Sequence, residues 1–274
     1  MQAMRTLSRL FIPAAALTVL LVWLWITPPG LLGKADALGY AVCHRIDERS
    51  FHFDDGRQTP LCARCSGMYL GAVLGLIFLQ WTNPRRSGFP RRAVWIPLAV
   101  LAAAFAFDGA NSYFYLMKSV IPGRLDWIPT VYLPNNTLRL LTGSGMGLGI
   151  AVLLYPAFNQ SVWKLAPAAP ILSGWKQPAL LLTLMAAADL LVLTDWDIII
   201  APLAIISAGG VLLVLTLVYA MAWLILMRQE NIFDRWSELG LPLLAGMTIA
   251  LLQVTLIDLF RLWLTGTWGA FPLG

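Results

Sequence analysis

Stretches of about 20 residues with almost no charge recur along this chain, and each is as long as a helix must be to cross roughly 30 Å of hydrocarbon. They fall at 8–27, 61–81, 94–117, 138–156, 177–195, 200–227 and 241–264. A chain built of such windows has one stable solution in a bilayer, namely helices whose backbone groups are bonded within each segment. Of its 274 residues, 59% are hydrophobic and 12% charged, with a mean hydropathy of +0.73, whereas a soluble domain carries roughly 25% charged residues. The reading is an all-α, polytopic membrane helical bundle of about seven transmembrane helices. The fifth window is the least clear, because Asp189, Asp195 and Asp197 crowd its end. The first follows Arg5 and Arg9 and ends in LVWLWITPPG. Its apolar run is longer than a signal-peptide core, so it reads as a retained anchor.

Basic residues resist translocation and therefore mark the cytoplasmic loops. The strongest cluster is Arg85, Arg86, Arg91 and Arg92, joined by Lys164, Lys176, Arg228 and Arg235. A multi-pass protein of the cell membrane with a cytoplasmic N-terminus follows, and the loop around residues 43–65 then lies outside the cytoplasm. Lys34, Arg45, Arg49, Arg57, Lys118 and Arg124 fall on that outer side. The net charge of +5 is the ordinary balance of loops beside an anionic membrane and calls for no nucleic acid. Membrane lipid, an anionic lipid head group and other membrane proteins are the expected partners.

The chain divides by character into three parts. Residues 1–156 hold four windows and most of the unusual polar residues; 157–176, rich in Pro and Lys, read as a connecting loop; and 177–274 hold three windows dominated by Leu, Ala, Val and Ile.

All three cysteines and one histidine stand in the first part, as Cys43-His44 and Cys62-Ala63-Arg64-Cys65. Thiolates in a CxxC pair, with a third Cys and an imidazole, make up the Cys₃His set that Zn²⁺ accepts in tetrahedral geometry. His52 is a reserve for the fourth position, because adjacent side chains such as Cys43 and His44 diverge in extended backbone. Thr59 can cap the second helix with Pro60 at its first position, which sets Cys62 and Cys65 on one face of the first turns. Gly67, Gly71 and Gly75 form a small-residue stripe suited to close helix packing. The fourth helix starts in the same way at Pro134-Asn135-Asn136-Thr137, with Arg139 in its first turn.

The strings CHRIDERSF and PLCARCSGMYLG, with Asp108-Gly109 in the next span and Asn135 or Asn136, Arg139, Thr142 and Gly143 after it, resemble the predicted membrane proteins grouped as domain of unknown function 2085. The resemblance covers roughly residues 40–150. It implies a membrane protein and brings no activity with it.

Under the orientation above, the second and fourth helices both start at the outer face, so two positive helix ends lie together. Asp108, Arg64 and Arg139 are the candidate catalytic residues, and Arg45, Arg49, Asn135 and Asn136 the candidate anion-binding ones. Ionisable groups within a span are costly and commonly functional. One function class is an enzyme at the interface acting on a lipid-linked or phosphate-bearing substrate. A second is a structural or assembly subunit whose zinc clip fixes a loop. A third is thiol redox chemistry, against which the odd cysteine count stands, since a relay needs a second pair. Asp258 and Arg261 read as a mutually satisfying pair, and Asp189, Asp195 and Asp197 as a loop face.

Overall fold

The computed structural model describes residues 2–269, with side chains from residue 10 onward, so those of Arg5 and Arg9 lie outside the described residues. Eight helices follow in chain order: α1 (Gln2–Ile26), α2 (Gly30–Val42), α3 (Ala63–Thr82), α4 (Arg92–Val120), α5 (Asn136–Val162), α6 (Lys176–Val192), α7 (Asp197–Leu226) and α8 (Gly240–Thr265). A small antiparallel hairpin, β1 (Ser50–His52) and β2 (Gln58–Cys62), stands between α2 and α3. The chain is a helical membrane bundle. Among the described residues, α3, α4, α5, α7 and α8 are long and apolar enough to cross a membrane, and α1 with α2 would make a sixth span. The sequence suggested about seven. The difference lies in α6, whose 17 residues reach about 26 Å at 1.5 Å per residue.

Between α1 and α2 the axis turns by 105°. The cause is Pro28-Pro29-Gly30, since proline offers no N–H to a continuing helix and Gly30 takes a positive φ of 79°. Lys34 reaches back across the bend, its Nζ donating to the carbonyls of Leu24 and Thr27 at 2.6 and 3.0 Å. A cation thereby closes the carbonyl end of α1.

The centre of the bundle is the parallel pair α3 and α5. Gly67 and Gly71 of α3 face Leu140 and Ser144 of α5, and in return Gly143 faces the Arg64 carbonyl. A Cβ at Gly143 would collide with that carbonyl oxygen, so the absence of a side chain is what lets the two helix starts lie side by side. Leu70, Leu79, Leu140, Leu148, Val152 and Tyr155 fill the core around them, with Leu181 and Met185 of α6 against it. Asp189 is not on a loop face: it is buried against α5, accepting from Ser144 Oγ at 2.6 Å. Asp195 and Asp197 do lie at the loop, where Asp197 accepts from the Asp54 N–H.

At the far end of α3, the basic loop and the connector meet. Ser87 N–H donates to the Pro167 carbonyl, Ile171 N–H to that of Gly88, and Lys164 N–H to that of Phe233. Helix α5 continues through Val162, beyond the window edge at 156.

Candidate metal centre and the arginine network beside it

Helix α2 delivers the first cysteine. Its last turn runs against β2 at Gly39, where a Cβ would strike the Pro60 carbonyl. The chain then leaves the helix at Cys43 in extended conformation (φ −129°, ψ 141°). Successive side chains in such backbone point to opposite sides. Cys43 accordingly turns inward and is buried, while His44 turns outward and is exposed. Arg45, at a positive φ of 50°, reverses the chain directly afterwards.

The second strand delivers the other two. Thr59 and Pro60 belong to β2, so α3 starts at Ala63 with Cys62 in the cap position. The helix thus begins later than the Thr59–Pro60 signal suggested, because pairing of Ser50 with Cys62 and the bond from Thr59 Oγ1 to the Phe51 carbonyl draw those residues into the hairpin. Cys65 follows in the first turn. The sulfurs of Cys43, Cys62 and Cys65 all lie within 4.8 Å of one another. Two backbone N–H groups donate to the Cys43 sulfur, from Cys62 at 3.3 Å and from Arg45 at 3.4 Å. Leu61, Val211, Val42, Leu215 and Tyr69 wall the group.

His44 does not join it. Its Nδ1 accepts from the Ile46 N–H at 3.1 Å, and the reserve, His52, meets Asp47 at 2.8 Å. Three thiols in contact share protons unevenly. Hydrogen bonds from Cys62 and Cys65 hold Cys43 well below the ordinary thiol range, although burial opposes this. Cys62, donating to Cys43, is pushed up to about 12. A cation would replace those shared protons, so the residues present fit a thiophilic metal ion.

Two neighbours absent from the candidate set hold the loop. Asp36 of α2 accepts from Arg45 at 3.1 Å and also from Arg57, so Arg45 serves an ion pair shared with Arg57. Arg261 of α8 donates to the carbonyls of Tyr40, Cys43 and His44 and lies 4.0 Å over the Tyr40 ring. A guanidinium thus caps the carbonyl end of α2. Neither contact is visible in residue spacing.

Directly across the CARC turn, Arg64 donates to the Asp108 carboxylate and to Ser112 Oγ. Asp108, almost fully buried, also accepts from Tyr132 Oη at 2.6 Å. Burial and that bond push the Tyr132 phenol up to about 12. Arg49 donates to the Ser112 carbonyl at 2.9 Å, so Arg49 and Arg64 meet on one residue. Arg139 donates to Asn136 Oδ1 at 2.8 Å, and Asn136 Nδ2 in turn to the Ser50 carbonyl at 3.0 Å. Burial, followed by the charge of Arg64, lowers the pKa of Arg49. Asn135 has another task, accepting from the Leu138 N–H as the cap of α5. Asn111 pins the loop that carries Tyr132, donating to its carbonyl and accepting from the Val131 N–H. Ser112 and Tyr132 had no signal in spacing, since a Ser and a Tyr near a membrane face are common.

A family described as predicted membrane protein (DUF2085) matches residues 43–153. An uncharacterized protein of Methanothermobacter thermautotrophicus is 32% identical over 115 residues, covering 41% of this chain and 83% of the relative. The chain belongs to the DUF2085 family. A second relative, an uncharacterized protein of Methanocaldococcus jannaschii, is 27% identical over 123 residues, 45% of this chain and 67% of its own length. No solved structure matches the chain. The DUF2085 match begins at Cys43 and ends within α5. It therefore takes in the three cysteines and the whole Arg49–Arg64–Asp108–Arg139 network, while Asp36 and Arg261 lie outside it.

Proposed function

We propose that this DUF2085 protein is organised around a Zn²⁺–thiolate centre at one membrane face, and that the polar network beside it acts on a lipid-linked or phosphate-bearing substrate. The convergence of three sulfurs from α2, β2 and α3 carries this reading. Three thiolates leave one position of a tetrahedral zinc ion open to water or to a substrate atom, the arrangement of sites that do chemistry. Arg64 and Arg139 would hold the substrate's anionic group, and Asp108 would orient Arg64 and Tyr132 toward it. The cysteine end faces outward and the Arg85–Arg92 end inward in this reading, as the distribution of basic residues favours.

The test combines metal analysis with an activity screen. Full-length protein purified without chelator is assayed for bound zinc and for phosphate release from lipid phosphomonoesters and diphosphates. One zinc per chain, with turnover lost in Asp108→Asn, supports the proposal. Folded protein that takes up no metal removes it. Because the sulfurs join three separate elements, zinc without turnover favours the second reading, a structural clip.

A further inference from the structure

Three guanidinium groups share the space beside the metal centre with one buried carboxylate. Arg49 and Arg139 are 9% and 6% exposed, and the Arg64 side chain is 17% exposed. Each lies within electrostatic reach of the other two. Asp108 is committed to Arg64 and Tyr132, and Glu48, also within reach of Arg49, is exposed. The Nε atoms of Arg64 and Arg139 are buried and have no hydrogen-bond acceptor. Arg49 donates to the Ser112 carbonyl and Arg139 to Asn136 Oδ1, both neutral oxygens.

Like charges in a half-buried site repel, and a buried guanidinium without an acceptor is costly. Three arginines against one carboxylate leave two positive charges over, and even a zinc ion bound by three thiolates, with a net charge of −1, would offset only one. The starts of α3 and α5 add positive potential of the same sign. We infer that Arg49, Arg64 and Arg139 form a binding site for a phosphoryl oxyanion, which completes the network by accepting from the guanidinium groups left short of acceptors. A phosphate monoester has the required charge and three strong acceptor oxygens in a fork that guanidinium matches bidentately. The network reaches the surface at the half-buried Tyr132, Asn136 and Thr142. Both inorganic phosphate and a lipid phosphomonoester head group carry this chemistry. The inference deepens the functional reading above by naming the ligand of its network, and it does not require the metal.

Full-length protein, with its metal content measured in parallel, is titrated with inorganic phosphate at constant ionic strength, using chloride as the control and thermal unfolding as readout. It is also placed in nanodiscs of phosphatidylcholine with and without phosphatidate. Saturable stabilisation by phosphate but not chloride supports the site, as does stabilisation by phosphatidate. Phosphatidate that displaces phosphate identifies a lipid source, and phosphate alone a soluble one. Arg139→Lys, which keeps the charge and loses the fork, should weaken binding about tenfold, equivalent to about 1.4 kcal/mol. Wild-type protein stabilised by neither ligand, or Arg139→Lys and Arg49→Lys proteins that bind as tightly as wild type, overturns the inference. Phosphate binding by folded protein that takes up no metal would leave this site standing while removing the zinc reading.

Discussion

Arg64 donates to the Asp108 carboxylate from the first turn of α3, which carries Cys65 and follows Cys62 at the cap. One short helix start therefore serves two sites, with its cysteines turned toward α2 and its arginine toward α4. Replacing Asp108 with Asn should leave a guanidinium facing a neutral amide at a site that is 2% exposed. Breaking a buried pair in this way costs about 3 kcal/mol. The expected result is a clear drop in unfolding temperature in detergent with metal stoichiometry unchanged, and equal losses of both would mean that the two sites are not separable.

Single Cys→Ser substitutions at positions 43, 62 and 65 should each abolish stoichiometric zinc. His44→Ala should not, because His44 is exposed and outside the sulfur group. Zinc content by mass spectrometry on the four variants decides this. Loss of metal in His44→Ala at the level of the cysteine variants would restore His44 as a ligand.

Metal affinity should rise with pH. Cys43, held below the ordinary thiol range, is the readier of the two to ionise in the metal-free protein, whereas Cys62 keeps its proton up to about 12. A metal must displace that proton, so each pH unit between neutrality and about 10 should tighten binding about tenfold per proton released. For the metal-free protein the sign is the usual one for a depressed acid. The stabilisation from ionised Cys43 is complete above the ordinary thiol value and is lost as pH falls through the lowered one. Competition with a chelator of known affinity across that range measures the slope, and a flat profile would contradict the shared-proton arrangement.

Arg261→Gln removes the guanidinium from the carbonyls of Tyr40, Cys43 and His44 without touching a sulfur. Groups that orient a ligand from behind commonly contribute 10- to 100-fold in metal affinity. A loss of that size in zinc competition, with partial recovery in Arg261→Lys, is the expected outcome. Unchanged affinity would show that the α2 terminus is held without α8.

The windows of apolar sequence announced the long helices, and the cysteine spacing announced the sulfur group, because both depend on local pattern. What stayed hidden depends on distant partners. Helix α2, GLLGKADALGYAV, is too short to span and carries Lys34 and Asp36, so no hydrophobic window marks it. Its buried face becomes apparent only when α7 and α8 pack against it around Ala35, Ala37, Leu38, Ala208 and Leu251. The divergence of Cys43 from His44 was implicit in their adjacency. Asp36 and Arg261 were not recognisable as supports of the cysteine loop, since sequence separation says nothing of who meets whom across a bundle. Nor could spacing show that Arg45 would pair with Asp36.

The contact of Arg261 with the Cys43 loop also imposes an order on biogenesis. Cys43 leaves the ribosome early, ahead of both other sulfurs, on a segment bent away from the first helix by 105°. Its clamp, Arg261 on α8, is made 218 residues later than Cys43. During synthesis all three cysteines are present once α3 exists, but the loop that presents the first of them stays unlatched until α8 has been made. In the proposed metal reading, tight retention would therefore depend on α8, and an ion acquired before it would sit in a site still open to exchange.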